Sequence, residues 1–527
     1  MLMRNRTTTP PLSGVWQQTR RLNAGMPSVW LMVLGLIGSA VYFSGLHIGY
    51  YGDDFGYVYP DPAARIFYYF YQPNPYIVNY RPVTSFLLAT IQTLFGLATW
   101  PIRVTHIFFH VLLCWFLYVF MMRQGLSRLQ AMVGSLFLLL SQVNAIAVFS
   151  NDTFSQISGT FFGYAALWLL YRSLAPSDNS QAGGRKSVHY PSYVLSVLAV
   201  SISLLAKETS VSFLLLSFGV ILAMNWQAQD WGSTIKTCMI QIFPFALATL
   251  LYVIVRLHLG LAQPGGGSAG HNFGIGINVL RNLALFFLAA IVPVSTATTF
   301  VLFKNADLVA AGLVMILSLV FLGLVIHGIR RARPRWFFGL VGGLAIVGLF
   351  PMMFLMHVSE LYLYNSMPFV ALLVGASLGG LIEANTTKPA RLIASIAIVA
   401  CFFVSHVVAI QTKAPLMRAN GERAADLLEQ IRPYTSAVPR NGTLFLVNPA
   451  STQAEYSVFL LNGFNVLKYG ENMIYQVANR SDFLAEIVEA SDVGRVAIGK
   501  NGAASGHDSL VLTLYGGKVQ PYGSPRR

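Results

Sequence analysis

Charge is scarce in this chain: only 10% of its 527 residues are Asp, Glu, Lys or Arg, while 55% are hydrophobic. So little charge excludes a soluble globule of ordinary composition and makes a bilayer the solvent for most of the chain. Cysteine is nearly missing too. The three present, Cys114, Cys238 and Cys401, fall inside apolar runs without metal-ligand spacing, so they read as small buried hydrophobes and say nothing of the redox compartment. No repeat of fixed period occurs, no phosphate-binding loop and no nucleophile-elbow serine. Low complexity is confined to the Gly-rich stretch Gly265 to Gly270.

What the chain has in abundance is long apolar runs, recurring from Pro27 to Gln411. Lipid leaves a backbone no partner but itself, and a crossing needs roughly 20 apolar residues, so these runs predict helices. Eleven crossings are expected, near 29–49, 102–122, 130–149, 154–172, 190–206, 209–226, 237–258, 308–329, 336–356, 361–383 and 391–411. The first follows a basic leader with Arg4, Arg6, Arg20 and Arg21, but is too long for a signal-peptide core and reads as a retained helix. Val83 to Leu97 and Val279 to Leu302, the latter with Pro293 near its middle, read as interfacial or re-entrant. Counting either as a crossing would put basic connectors on the wrong side.

The net charge of +15 sits in those connectors, not in a groove with interleaved aromatics, which excludes a nucleic-acid partner and gives an orientation. The N-terminus, Arg123 with Arg128, Arg172 with Arg185 and Lys186, the run Arg330, Arg331, Arg333 and Arg335, and Lys388 with Arg391 share one face, the cytoplasmic one. Asp53, Asp54, Arg81, Asp152, Lys207, Glu208, Arg256, His271 and Glu360 gather on the other. From about Lys413 the composition becomes soluble. Helical patterns (Gly421 to Gln430, Asp482 to Ala490) alternate there with strand-like runs (Thr443 to Val447, Arg495 to Ile498, Ser509 to Leu514), suggesting a small α/β domain. The expected division is residues 1–412 in the membrane, with a first external loop at 50–101, and residues 413–527 as a periplasmic α/β domain.

Charge near a membrane is costly and asks for a reason. Asp53 and Asp54 are adjacent carboxylates directly after the first crossing, set among aromatics. They are either an interfacial turn with solvated acids or a site where partial desolvation and like-charge proximity ready one of them as a general base. Arg81, before Pro82, stands where a phosphate could accept a bidentate contact or where it could snorkel to headgroups. Lys207 and Glu208 lie between two runs with almost no loop, as an internal ion pair or in a cavity between helices. Glu360 opens a run, where the helix dipole would favour an acid. His106 and His110 have i, i+4 spacing, but no carboxylate completes a metal set nearby, so packing inside the bundle is the better reading.

The order of these features resembles the C-type (GT-C) membrane glycosyltransferases that use polyprenyl-phosphate sugars, specifically the protein O-mannosyltransferase branch and its relatives with lumenal tetratricopeptide repeats. The matching elements are Gly52-Asp53-Asp54; Tyr80-Arg81-Pro82-Val83 leading into Leu94-Phe95-Gly96; the helix with His106 and His110; Asn151-Asp152; Leu205-Ala206-Lys207-Glu208-Thr209; Arg256; and Glu360-Leu361-Tyr362-Leu363-Tyr364 followed by Pro368. The resemblance runs from about residue 28 to 385. It implies an all-α polytopic membrane fold of the GT-C kind, with a polyprenyl-phosphate sugar as donor and a lipid, glycan or protein as acceptor. Asp53 or Asp54 would be the base. Arg81, Lys207 and Arg256 would face the donor phosphate, and Asp152, Glu208 and Glu360 would line the substrate site. No motif demands a cofactor, and a divalent cation is left open. Two departures stand out: Tyr80 replaces the acid some relatives carry before the Arg, and the repeat domain is missing. The first removes a second loop carboxylate, and the second, with a short C-terminal α/β segment in the place of the repeats, weakens the inference of a protein acceptor and favours a bacterial inner membrane with the site on the periplasmic side. A transporter or flippase of a lipid-linked glycan is the alternative, although such proteins commonly show internal repeats.

Overall fold

The computed structural model describes residues 25–74, 79–175, 188–226, 230–261, 273–331, 335–356, 358–449, 459, 461–489 and 509–522. The Gly-rich stretch, His271, Arg185, Lys186 and Arg333 lie outside them, as does the expected strand at 495–498.

Helices dominate, as the apolar runs require. Besides the short helices Pro62–Arg65 and Glu471–Ala478, they are in chain order α1 (Gly25–Tyr42), α2 (Pro82–Phe95), α3 (Trp100–Arg123), α4 (Arg128–Leu140), α5 (Ala145–Phe149), α6 (Phe154–Leu174), α7 (Tyr190–Ala206), α8 (Ser212–Asn225), α9 (Trp231–His258), α10 (Ile277–Ile291), α11 (Thr296–Lys304), α12 (Leu308–Arg331), α13 (Arg335–Gly348), α14 (Met367–Glu383) and α15 (Pro389–Thr435). Among the described residues six segments are long and apolar enough to cross a membrane: Pro27–His47, Trp100–Arg123, Glu208–Asn225, Trp231–His258, Leu308–Arg330 and Pro389–Thr435. A seventh forms if the pair around Ser141, bent by 41°, is one span. The protein is therefore an integral membrane protein.

Eleven crossings are not reached on length and composition. Helix α6 is long but carries buried Ser155, Gln156, Ser158 and Thr160, and α7 and α14 have 17 residues each. Helix α13 stops at Gly348, so the run expected to 356 ends instead in a turn through Pro351. Likewise, the run expected from 361 opens with a 3-10 turn, Glu360–Leu363, before α14 begins. The two stretches expected to be interfacial or re-entrant are short elements. Helix α2 has 14 residues, roughly 21 Å at 1.5 Å per residue, against a hydrocarbon core of about 30 Å. The other breaks around Pro293 into α10 and α11.

With no hydrophobic force between helices in lipid, close approach and polar contacts hold the bundle. A Cβ on Gly375 of α14 would stand 2.5 Å from Gly134 Cα of α4, so only small residues allow that crossing. Between α6 and α7, Ser203 Oγ donates to the Gly159 carbonyl at 2.6 Å and Ser196 Oγ to Ala166 at 2.8 Å. Cys114 and Cys238 are buried as expected, whereas Cys401 is exposed on α15, because the apolar run around it turns one face outward to lipid.

Helix α15 runs unbroken through residue 412 and on for 47 residues in all, absorbing the expected helix 421–430. Beyond it, strands β1 (Thr443–Asn448), β2 (Leu484–Glu489), β3 (Ser509–Tyr515) and β4 (Lys518–Pro521) form a sheet of order β2-β1-β3-β4. The first two pairings are parallel and the last antiparallel. The helix expected at 482–490 is thus strand β2. Its Ile487-Val488 pair suits a pleated surface, and pairing along β1 overrides the helical spacing of its apolar residues.

Candidate active site

Gly52, at φ 56°, turns the chain out of the first span into the 3-10 turn Gly52–Tyr57, a left-handed step that suits glycine. The next two residues then face different surroundings. Asp54 is buried. Its Oδ1 accepts from the backbone N–H groups of Asn151 and Asp152 (2.9 Å each) and its Oδ2 from Asn151 Nδ2 (2.9 Å), with Ser150 Oγ 3.1 Å from Oδ1. It clamps the turn that precedes α6. Burial first, and the Asp152 carboxylate second, push Asp54 above the ordinary carboxylate range. Asp53 is half exposed, its Oδ1 3.4 Å from Lys468 Nζ.

Asp152 links this loop to a cationic cluster. Its field comes from Asp53 on one hand and from Lys207 and Arg81 on the other, and burial raises its pKa; Ser150 Oγ donates to it at 2.6 Å. At the centre of the cluster is Glu208. Arg81, just before α2, grips it with both arms, Nε to Oε2 at 2.8 Å and Nη2 to Oε1 at 2.6 Å. Lys207 Nζ lies 3.7 Å from Oε1 and Arg256 Nη1, at the end of α9, 3.9 Å from Oε2. Three cations therefore share one carboxylate, all with side chains between 9 and 21% exposed. Burial and then the neighbouring Arg81 charge pull Lys207 down to about 8. The fork of Arg81 is filled by Glu208, so the looser Lys207 and Arg256 are the groups best able to meet a further anion. Tyr57 completes the enclosure, accepting from Arg81 Nη1 and Asn79 Nδ2.

Glu360 stands apart from Glu208. Both its oxygens lie 2.8 Å from Lys413 Nζ of α15, and Thr296 donates to it. Lys413, fully buried, also donates to the Gln142 carbonyl at 2.8 Å, at the bend between α4 and α5. The 3-10 turn that Glu360 opens carries Tyr362 within electrostatic reach of Glu208, Arg81, Asp53 and Asp152, so the pair fixes one wall of the site. Lys413→Met should therefore destabilise the protein by about 3–5 kcal/mol, because an unpaired carboxylate is left buried. Adding Glu360→Gln should recover much of the loss. Melting in detergent checks both, and equal stability of Lys413→Met and wild type would refute the pairing.

Of the residues expected on one face, Asp53, Asp54, Arg81, Asp152, Lys207, Glu208 and Arg256 lie in one region, Glu360 pairs separately with Lys413, and His271 lies outside the described residues. Ser150, Tyr57, Lys413 and Lys468 carry no signal in the sequence. Asn151 and Tyr57 lie inside or beside the Asn151-Asp152 and Gly52-Asp53-Asp54 motifs, but their roles come from contacts across the chain. His106 Nδ1 and His110 Nδ1 meet the Val148 carbonyl (3.1 Å) and Tyr364 Oη (2.8 Å) inside the bundle. Among the described residues no group of three His, Cys, Asp or Glu could hold a metal ion.

No protein-family model matches the chain, and no curated protein matches it in sequence. Solved structures do. It is similar to ArnT from Cupriavidus metallidurans bound to undecaprenyl phosphate, at 12% identity and a TM-score of 0.46, over 92% of this chain and 93% of that one. It is also similar to the Archaeoglobus fulgidus oligosaccharyltransferase in its apo form, at 11% identity and a TM-score of 0.48, over 88% of this chain and 65% of that one. The complex of the archaeal enzyme AglB with an inhibitory peptide and a dolichol-phosphate gives 12% identity and a TM-score of 0.45, over 89% and 65%. The chain thus spans about two-thirds of the archaeal protein's length.

Proposed function

We propose that the protein is an inverting membrane glycosyltransferase that moves one sugar, a hexose or pentose, from a polyprenyl-phosphate carrier to a hydroxyl of an envelope lipid, glycan or protein. The supporting observation is the joint placement of a half-exposed carboxylate, Asp53, and of three cations around a single Glu208. Displacing a lipid phosphate from an anomeric carbon needs a base at one side and positive charge at the other. Asp53 takes the acceptor proton as the new C–O bond forms. The bond from the anomeric carbon to the phosphate oxygen breaks, and the phosphate keeps the electron pair, met by Lys207 and Arg256 while Glu208 holds Arg81 in place. Asp152, between the two halves, orients sugar or acceptor. Attack in one step inverts the anomeric centre. The motif order that resembles the O-mannosyltransferase branch supports the same reading.

The site sits at the ends of helices opposite those carrying Arg123, Arg128, Arg172, Arg330 and Arg391. By the orientation rule this favours a cytoplasmic N-terminus with the α/β domain on the opposite side, and the short α/β domain in the place of a repeat domain favours a bacterial inner membrane, where that side is the periplasm.

Undecaprenyl phosphate added to the purified protein in lipid nanodiscs should bind, with an affinity that falls as pH rises through about 8, where Lys207 loses its proton. Arg256→Ala should weaken it roughly tenfold, the cost of one charge-assisted contact. Equal binding by wild type and Arg256→Ala would overturn the phosphate assignment. Binding without transfer from any polyprenyl-phosphate sugar would favour a flippase, and mass spectrometry of envelope glycans with and without the gene would name the product.

A further inference from the structure

The α/β domain does not stand clear of the membrane part. It lies over the first external loop, where Leu461 Cδ1 comes within 3.2 Å of where a Cβ on Gly52 would be. Among the described residues two ion pairs tie the C-terminal part of the chain to the site region, and they differ in kind. Lys413 and Glu360 are 0 and 6% exposed, a fixed pin. Lys468 and Asp53 are 56 and 52% exposed, and an ion pair so open to water adds little to stability.

Stability therefore does not account for the second pair, and a left-handed residue flanks it on each side. Gly52, just before Asp53, has φ 56°, and Tyr469, just after Lys468, has φ 59°. The second is a left-handed conformation borne by a residue that has a Cβ, a costly geometry that persists where surrounding structure imposes it and that clusters at working sites. The Lys468 ammonium lies 4.9 Å above the Tyr469 ring, so the tyrosine supports the lysine from below while Asp53 meets it from the loop. Asp53 makes the opposing charge that, against partial burial, raises the Lys468 pKa.

We infer that Lys468 is a positioning residue for Asp53, and that the α/β domain is by this contact a working part of the transferase. The inference rests on the reading of Asp53 as the base. A base must hold one oxygen toward the acceptor hydroxyl, and misplacement by an ångström lowers a rate steeply. Lys468 approaches Oδ1 from the side of the α/β domain and so restricts how the carboxylate turns.

The test uses the full-length protein in membranes. A zero-length carbodiimide should join Asp53 to Lys468, read as a cross-linked peptide by mass spectrometry. Lys468→Ala should lower kcat for sugar transfer about two- to fivefold, the most that an exposed ion pair can bias the carboxylate's orientation, with KM for the donor and binding of undecaprenyl phosphate unchanged. Lys468→Arg should restore most of the rate. A missing cross-link overturns the inference, as does a wild-type kcat in Lys468→Ala or a loss confined to KM. Those failures leave wild-type transfer intact. Absence of transfer and of undecaprenyl-phosphate binding in the wild type would instead remove the base reading and this inference with it.

Discussion

Replacing Asp53 with Asn is expected to lower sugar transfer by about two to four orders of magnitude, the contribution typical of a positioned general base, with little change in melting temperature. The amide keeps the shape of the side chain but cannot take the acceptor proton, and the exposed pair it loses with Lys468 is weak. Asp54→Asn should behave differently. Asp54 accepts three N–H hydrogen bonds from Asn151 and Asp152 in the turn before α6, and an amide in its place presents a donor to one of those donors unless the Asn151 amide turns to accept it. Each unsatisfied buried group costs about 1–3 kcal/mol, so this variant should melt earlier and lose activity in step with the loosened turn. Transfer rates and melting curves measured on both variants separate the roles. Loss of rate without loss of stability in Asp54→Asn, together with wild-type transfer in Asp53→Asn, would exchange them.

Glu208→Gln is expected to destabilise the protein and to make it responsive to added anions. Arg81, Lys207 and Arg256 surround this carboxylate with side chains only 9 to 14% exposed. Removing the shared anion leaves mutually repelling charges in a partly dehydrated pocket, a loss of about 3–5 kcal/mol for a buried pair, the partial exposure favouring the lower end. Inorganic phosphate or undecaprenyl phosphate should restore more melting temperature to the variant than to the wild type, because an anion that binds the folded state stabilises it by mass action. An unchanged melting temperature, or equal anion effects on the two proteins, would show that the three cations are not held by Glu208.

Much of the cluster was legible because charge in an apolar chain is conspicuous. Lys207-Glu208 drew notice by standing between two runs with no room for a loop, and the same confinement makes Glu208 a hub. Pairing was less legible. Glu360 reads as a companion of the other acids, yet its partner is Lys413, a residue that in sequence only marks where the composition turns soluble. Helix lengths misled for a related reason. Apolar runs continue past the helix ends at Gly348 and before Met367, since a 3-10 turn or an irregular segment buried among other helices needs apolar residues as much as a crossing does. In the C-terminal part, residues 484–489 follow the sheet because β1 offers them a ladder, and no local pattern announces that neighbour.

By itself the sequence determined the solvent of this protein and the sign of charge at the two ends of its helices, because hydropathy and the location of Arg and Lys act residue by residue. It also determined that Asp53 and Asp54 stand together after the first span. Only the tertiary structure decided that the two acids differ. Asp54 meets donors nearly a hundred residues away in the turn at 150–152, and Asp53 meets Lys468 from the far end of the chain. Hydrogen bonds and ion pairs act over a few ångströms, whatever the separation in sequence, so adjacent carboxylates take their roles from what the fold brings against each of them.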